Sequence, residues 1–226
     1  METYVLGDIH GGFRALEQVL ERSAFRPGLD RLIQLGDVAD GWPDTPQCVE
    51  RLLSIPHSIW LQGNHDWWTA EWLATRLPVS ELSPGWLSQG GRATYEAYQR
   101  GPHEQLGRHF TAFFGQQRPY FEDDQNNLYV HGGYDPTRPI AEQEPAELIW
   151  TRDLWQNGWE ALGYTECFIG HTPTGAKSPV PGQRANVWNL DQGAGYSGRL
   201  SMLNVRTKEF VQSDPVPELY PGVKGR

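Results

Sequence analysis

Five short stretches place carboxylate, imidazole or carboxamide groups beside glycine. They are Gly7-Asp8-Ile9-His10-Gly11, Gly36-Asp37-Val38-Ala39-Asp40, Gly63-Asn64-His65-Asp66, Val130-His131-Gly132-Gly133 and Ile169-Gly170-His171-Thr172-Pro173. Oxygen and imidazole donors of this kind suit Mn, Fe, Zn or a similar divalent ion, and not a soft thiolate-bound metal. One carboxylate placed between two such clusters can bridge a pair of ions. Each stretch alone has an ordinary reading: an Asp-x-His after a strand is commonly a turn, and Asn64 tolerates a left-handed backbone. The set does not. Four of the seven histidines fall in these glycine-flanked stretches, whereas His57, His103 and His109 have no such context and are expected at the surface.

The elements that must position these residues follow from apolar patterning. Tyr4 to Leu6, Leu32 to Leu35 and Ile59 to Leu61 are short apolar runs, each followed by glycine within two residues. Phe13, Leu16, Val19 and Leu20 recur at helical spacing between the first two runs, and Val49, Leu52 and Leu53 do so between the second and third. Alternating strand and helix, with chemistry at the strand ends, predicts an α/β layout that binds its ligand beyond the carboxyl ends of the strands. Further strands are expected at Leu128 to Val130, Cys167 to Ile169, Val187 to Leu190, Leu200 to Val205 and Glu209 to Gln212, the last two joined by Arg206-Thr207-Lys208. Residues 67–125 are rich in Trp, Gln and Arg, with helical segments at Ala70 to Leu77 and Glu104 to Phe114. They are expected as a helical insertion over the site within a single 1–226 domain. The tail beyond Ser213, carrying Pro215, Pro217 and Pro221, is expected to be extended.

Bulk properties narrow the function classes. A chain of 226 residues with 38% hydrophobic and 21% charged content can bury a core and is not disordered. No apolar run approaches the roughly 20 residues of a membrane helix, and the N-terminus enters its first strand without the pattern of a secretory leader. The formal net charge of −9, with no lysine-arginine cluster, argues against nucleic acid as a partner. Cys48 and Cys167 read as small core residues of a cytoplasmic protein.

The order of the motifs resembles the calcineurin-like metallophosphoesterases, and within them the branch of serine/threonine protein phosphatases and bacterial symmetrical diadenosine tetraphosphate hydrolases. Asp40, three residues after Asp37, marks that branch. The resemblance continues through Trp86, Gly90-Gly91, Thr94 and Tyr98, through Trp150-Thr151-Arg152, and through Asp191-Gln192-Gly193-Ala194-Gly195. It implies a sandwich of two mixed β-sheets with helices on both outer faces. It also implies two divalent ions, with Mn first and Fe, Zn, Ni or Co as alternatives. Asp8 and His10 would hold the first, Asp37 would bridge, and Asn64, His131 and His171 would complete the second. His65 would be the general acid, oriented by Asp40, and Asn64 and Arg152 would contact the substrate phosphate. The physics agrees with these roles. Two ions roughly 3.5–4 Å apart activate a bridging water, hold phosphoryl oxygens and offset charge during in-line attack. The alkoxide leaving group still needs a proton, which an imidazolium held by a carboxylate can give near neutral pH.

One departure stands out. The family writes Asp-Arg-Gly at the end of its second motif, and that arginine binds phosphate; here Asp40 is followed by Gly41-Trp42. Arg14 is the nearest sequence candidate to replace it. The ordinary reading of Arg152 is an ion pair with Asp153 or Glu147. Trp42, Trp67 and Trp68 suggest a substrate with a flat or apolar part. The expected activity is hydrolysis of phosphomonoesters by a metal-bridging hydroxide, on phosphoserine or phosphothreonine in a phosphorylated protein, or on a small phosphate ester. Hydrolysis of dinucleoside polyphosphates or another nucleotide is the alternative within the same chemistry. An inactive metal-binding interaction module is the alternative from another class, disfavoured because no ligand and no acid is missing.

Overall fold

The computed structural model describes residues 1–174 and 180–226. Period-two alternation sorts the strands into two layers. In β1 (Thr3–Leu6), Tyr4 and Leu6 pack outward against helices while Val5 points the other way. The same division holds in β5 (Leu128–Val130), where Leu128 and Val130 face helices and Tyr129 faces inward, and in β6 (Cys167–Ile169), where Phe168 faces inward. Val5, Ile33, Leu203, Tyr129 and Phe168 share one cluster, so the inward faces of two sheets pack on each other. Each such fully buried side chain contributes roughly 1.5–3 kcal/mol.

The first sheet runs β11 (Phe210–Gln212), β10 (Arg199–Asn204), β1, β2 (Arg31–Gln34), β3 (Ser58–Trp60), with β9 (Asp191–Gln192) hydrogen-bonded to β10. β1, β2 and β3 are parallel, in register as Leu6–Gln34–Trp60, and β10 is antiparallel to β1. The second runs β4 (Tyr120–Glu122), β5, β6, β8 (Val187–Asn189), β7 (Gly182–Arg184). Its three central strands are parallel and its edges antiparallel. Helices α1 (Phe13–Arg22) and α2 (Thr45–Leu53) cover the outer face of the first sheet, α1 through Ala15, Leu16, Val19 and Leu20 at helical spacing. Pro46 sits in the first turn of α2, where its missing N–H costs nothing. Two short helices, Pro145–Trp150 and Asp153–Gln156, cover the second sheet with Leu148, Leu154 and Trp155. The result is the expected sandwich of two mixed sheets between helical layers.

Several boundaries differ from expectation. Helix α3 spans Asn64–Thr75, so it begins inside the third motif and not at Ala70. The 67–125 segment adds helices Arg92–Gln99 and His103–Ala112 but ends in β4, an edge strand of the second sheet. The tail is not wholly extended: Val216–Leu219 forms one helical turn that buries Val216. His109 is not a surface residue. It is fully buried, with Tyr98 Oη 2.8 Å from Nδ1 and Glu50 Oε1 2.8 Å from Nε2. Burial and Arg108 pull its imidazole down to about 4, and the phenol of Tyr98 is pushed up by burial. The phenol therefore donates to a neutral ring whose Nε2–H donates to Glu50. That carboxylate would favour the charged ring, but it is more than one-third exposed and screened. His57 and His103 are exposed as expected.

Candidate dinuclear metal centre

All five parallel-strand ends that carry motifs open on one edge of the sandwich. Asp8 follows β1, Asp37 follows β2, Asn64 opens α3 after β3, and His131 and His171 follow β5 and β6. Four of the site residues take left-handed backbone: His10 at φ 52°, Asp37 at 55°, Asp40 at 70° and His171 at 61°. Aspartate and histidine tolerate that conformation better than most residues, but it remains uncommon and concentrates at functional sites. Two glycines are required by close approach. A Cβ on Gly63 would stand 2.1 Å from Asp37 Oδ1, and one on Gly170 would stand 2.1 Å from Asp8 Oδ1.

The side chains form two overlapping groups, Asp8–His10–Asp37 and Asp37–His131–His171, each with ligand atoms within 4.8 Å of one another and each wholly buried. Asp37 belongs to both, with Oδ2 3.7 Å from His10 Nε2 and Oδ1 3.4 Å from His131 Nε2. Asn64 Oδ1 lies 3.4 Å from the same His131 nitrogen. The rings are held from behind. His10 Nδ1 meets the carbonyls of Ala39 (3.1 Å) and Asp40 (2.9 Å), and His131 Nδ1 meets that of Leu35 at 2.7 Å. A ring nitrogen facing a carbonyl carries its hydrogen, so in the neutral ring Nε2 is the nitrogen available as a ligand. His171 is reversed: Nε2 faces the Trp150 carbonyl at 3.2 Å, leaving Nδ1 as the donor atom. Among the described residues Asp8 Oδ1 has no hydrogen-bond partner and is buried, while Oδ2 accepts from the His171 amide at 3.0 Å. An orphaned carboxylate oxygen beside inward lone pairs fits a divalent cation.

Electrostatics point the same way. Burial and the neighbouring Asp191 push Asp8 well above the usual carboxylate range. Burial works against the Asp37 charge too, but the imidazoles of His131, His65 and His10 outweigh it and hold Asp37 well below that range. Burial opposes charge on His131, yet Asp37 and Asp8 raise it to about 9. Burial and His131 lower His171 to about 3, and burial and Arg226 lower His10. Asp37 and His131 thus hold each other's charge, and Asp8 is the buried carboxyl that a cation would relieve.

His65 and Asp40 stand beside the cluster. The rings of His65 and His10 are 5.1 Å apart, edge to face. His65 Nδ1 lies 2.9 Å from Asp40 Oδ2, and Trp86 Nε1 donates to that oxygen at 2.6 Å. The Asp40 amide donates to Thr94 Oγ1 at 2.9 Å. Trp86, quoted above only for its resemblance, thus holds the Asp40 carboxylate beside His65, and Thr94 holds the backbone of the same residue. Arg152 makes neither ion pair considered from sequence: its Nη1 donates to the His171 carbonyl at 2.7 Å, and Glu147 pairs instead with Arg138. Arg14 does not reach the site. It donates to the Leu219 carbonyl and lies over the Tyr220 ring.

Of the three tryptophans, Trp42 is buried, stacked on Tyr220 at 5.2 Å and donating to the Ala194 carbonyl. Trp67 lines a different cleft with Phe110 and Pro145. Trp68 does border the site, edge-on to His65 at 5.1 Å and to Trp150 at 5.2 Å. Trp150, 44% exposed, approaches His171 and was not singled out as a pocket residue. Asp66 was also missed. Its Oδ1 accepts from the amides of Val38 and Ala39, and its Oδ2 from Gly63 and Gln117, fastening the loop of Asp37 to the start of α3. The signal was available, since an acid three residues after a helix cap is the capping-box pattern.

The family model described as calcineurin-like phosphoesterase matches residues 1–194. The chain is 27% identical over 215 residues to serine/threonine-protein phosphatase 1 of Salmonella typhimurium, covering 90% of this chain and 91% of that one. It is 28% identical to serine/threonine-protein phosphatase 2 of Escherichia coli, at 90% and 92%. Over 67 residues it is 42% identical to a symmetrical bis(5'-nucleosyl)-tetraphosphatase of Pseudomonas putida, covering 29% and 23%. A crystal structure of a putative diadenosine tetraphosphatase superposes with TM-score 0.71 at 21% identity over 95% of this chain and 93% of that one.

Proposed function

The chain belongs to the calcineurin-like phosphoesterase family and is a metal-dependent phosphoester hydrolase; from that premise we propose that it hydrolyses phosphomonoesters, with phosphoserine and phosphothreonine in proteins as the favoured substrates. One observation carries the reading: two buried ligand groups share Asp37, and a His65–Asp40 pair stands beside them. Asp8, His10, Asp37, Asn64, His131 and His171 would hold two ions, with Mn as the proposed metal. The ions would supply an activated water and positive charge for the phosphoryl group. The chain's own residues do the rest. His65, held by Asp40, gives a proton to the leaving oxygen. Arg152, tied to the His171 backbone, offers its remaining donors to a phosphoryl oxygen.

Similarity along nearly the whole chain to two protein phosphatases supports the protein substrate. A dinucleoside polyphosphate is the second reading, favoured by the Trp68–Trp150 pair, on which a base could pack. A cytoplasmic setting is supported by two buried free thiols, Cys48 and Cys167, and no helix among the described residues is long and apolar enough to cross a membrane. The test is a substrate panel of phosphopeptides, small monoesters and dinucleoside polyphosphates, run on chelator-stripped protein with and without Mn. Mn-restored turnover highest on phosphopeptides is expected. Full activity of protein shown by elemental analysis to be metal-free ends the reading, and preference for the dinucleotide replaces its substrate.

A further inference from the structure

A guanidinium from the far end of the sequence lies against the first ligand group. Arg226 Nη1 stands 3.2 Å from His10 Nε2, the ring nitrogen left as a lone pair. Nη2 donates to Gln89 Oε1 at 3.0 Å, and the guanidinium carbon sits 4.9 Å over the Tyr196 ring. Among the described residues the buried Arg226 Nε has no hydrogen-bond partner, and no carboxylate lies within ion-pair distance of this side chain. A partly buried guanidinium whose Nε–H has no protein partner is suited to receive an anion.

The chain is built to put it there. The Arg226 stem passes over two glycines in left-handed backbone: a Cβ on Gly41 would stand 3.4 Å from Arg226 Cγ, and one on Gly90 2.9 Å. The Arg226 amide donates to the Gly195 carbonyl at 2.9 Å. Gly225 lies flat on Trp42, where a Cβ would come within 2.7 Å of the indole. Tyr220 also stacks on that indole and donates to Asp44 at 2.8 Å. Gly41 and Trp42, the two residues after Asp40, therefore serve as the seat of the tail.

We propose that Arg226 is a substrate-binding guanidinium of this site: with His10 Nε2 taken by an ion, Nη1 would be released from that nitrogen and the guanidinium would grip a phosphoryl oxygen, together with Arg152 beside the other ligand group. The inference rests on the phosphoesterase reading above. The planar fork matches phosphoryl oxygens, and the unpartnered Nε–H lies on the side of the fork that it shares with Nη2.

The experiment measures binding of inorganic phosphate to the Mn-loaded protein by calorimetry, with metal content determined for every sample. Arg226→Gln keeps the length of the stem over the glycines and removes the charge; Arg226→Lys keeps a charge without the fork. Phosphate binding roughly tenfold or more weaker in Arg226→Gln, with partial recovery in Arg226→Lys and unchanged metal content, is the expected result. Arg226→Gln binding phosphate within twofold of wild type, or losing phosphate binding only in step with loss of metal, overturns the assignment. Hydrolysis of an aryl phosphate by the wild type separates the two readings. Active wild type with an indifferent Arg226 sinks this inference alone, whereas inactive wild type sinks the phosphoesterase reading beneath it.

Discussion

The Asp40 carboxylate is shared between two donors on one oxygen, His65 Nδ1 and Trp86 Nε1, and sits with no exposed surface. That arrangement fixes which face of the His65 ring points toward the ligand cluster, because Nδ1 is committed to Asp40 and Nε2 is left free. A proton delivered from Nε2 matters only when the leaving oxygen is too basic to depart unaided. In His65→Asn the amide keeps a donor for Asp40, so both ions should remain bound. Turnover of an alkyl phosphate should fall by roughly 10²–10⁴-fold, and that of a nitrophenyl ester by much less. Steady-state kinetics on the two substrates, with metal content measured alongside, check this. Equal losses on both would show that His65 is not the acid. At this scale the sequence was legible where residue type limits the role. Carboxylates and imidazoles beside glycine pointed to a metal site, and His65 with Asp40 came from the motif order. Arg226 was illegible for a physical reason: its partners, His10, Gln89 and Tyr196, come from three other segments and share no spacing with it.

The loop after β2 and the first turn of α3 behave as one element because Asp66 joins them. Its carboxylate accepts from three backbone amides, of Val38, Ala39 and Gly63, all buried away from water. Removing it leaves those donors unpaired, at about 1–3 kcal/mol for each that water cannot reach. Asp66→Ala should therefore lose about 3 kcal/mol and melt roughly 6–12 °C lower, at 2–4 °C per kcal/mol for a chain of this size. Its metal content should fall as well, since Asp37 sits at the head of the loosened loop. Calorimetric melting and elemental analysis test both; a melting temperature unchanged within a degree would show that the loop holds its own shape. Elements were legible where burial is two-layered. In β1, β5 and β6 alternate residues face a helix and the other sheet, so all are apolar and the runs stand out. β4 and the Val216–Leu219 turn were missed because one is a three-residue edge strand, half-exposed, and the other lies among prolines. The left-handed backbone of His10, Asp37, Asp40 and His171 was also hidden, since residue type alone does not fix φ at a position other than glycine.

Across the whole molecule, the site is where the two sheets depend on each other. Asp8, His10, Asp37 and Asn64 come from the ends of the first sheet, and His131 and His171 from those of the second. Without ions, the seam holds buried carboxylates that repel: Asp8 is pushed up by burial and Asp191, and Asp191 is raised by burial to about 6. The chain already carries a net charge of −9, so the surface offers no relief. Ions at the seam would replace repulsion with bonds that span both sheets, and only the folded chain assembles their ligands. Binding to the folded state alone adds about 2.7 kcal/mol per site at a hundredfold excess over the dissociation constant. At 2–4 °C per kcal/mol, each filled site should raise the melting temperature by roughly 5–10 °C. Thermal unfolding across a Mn titration, set against chelator-treated protein, measures this. Asp37→Asn is the informative control, because Asp37 belongs to both ligand groups. In that variant the Mn-dependent rise should largely disappear, and the metal-free protein should itself melt somewhat lower than wild type at neutral pH, because the Asp37 charge that His131, His65 and His10 hold below the usual carboxylate range is gone. An equal rise in both proteins would place the bound Mn elsewhere on the acidic surface, and the seam would then have to be stabilised by protons held among its carboxylates and not by metal.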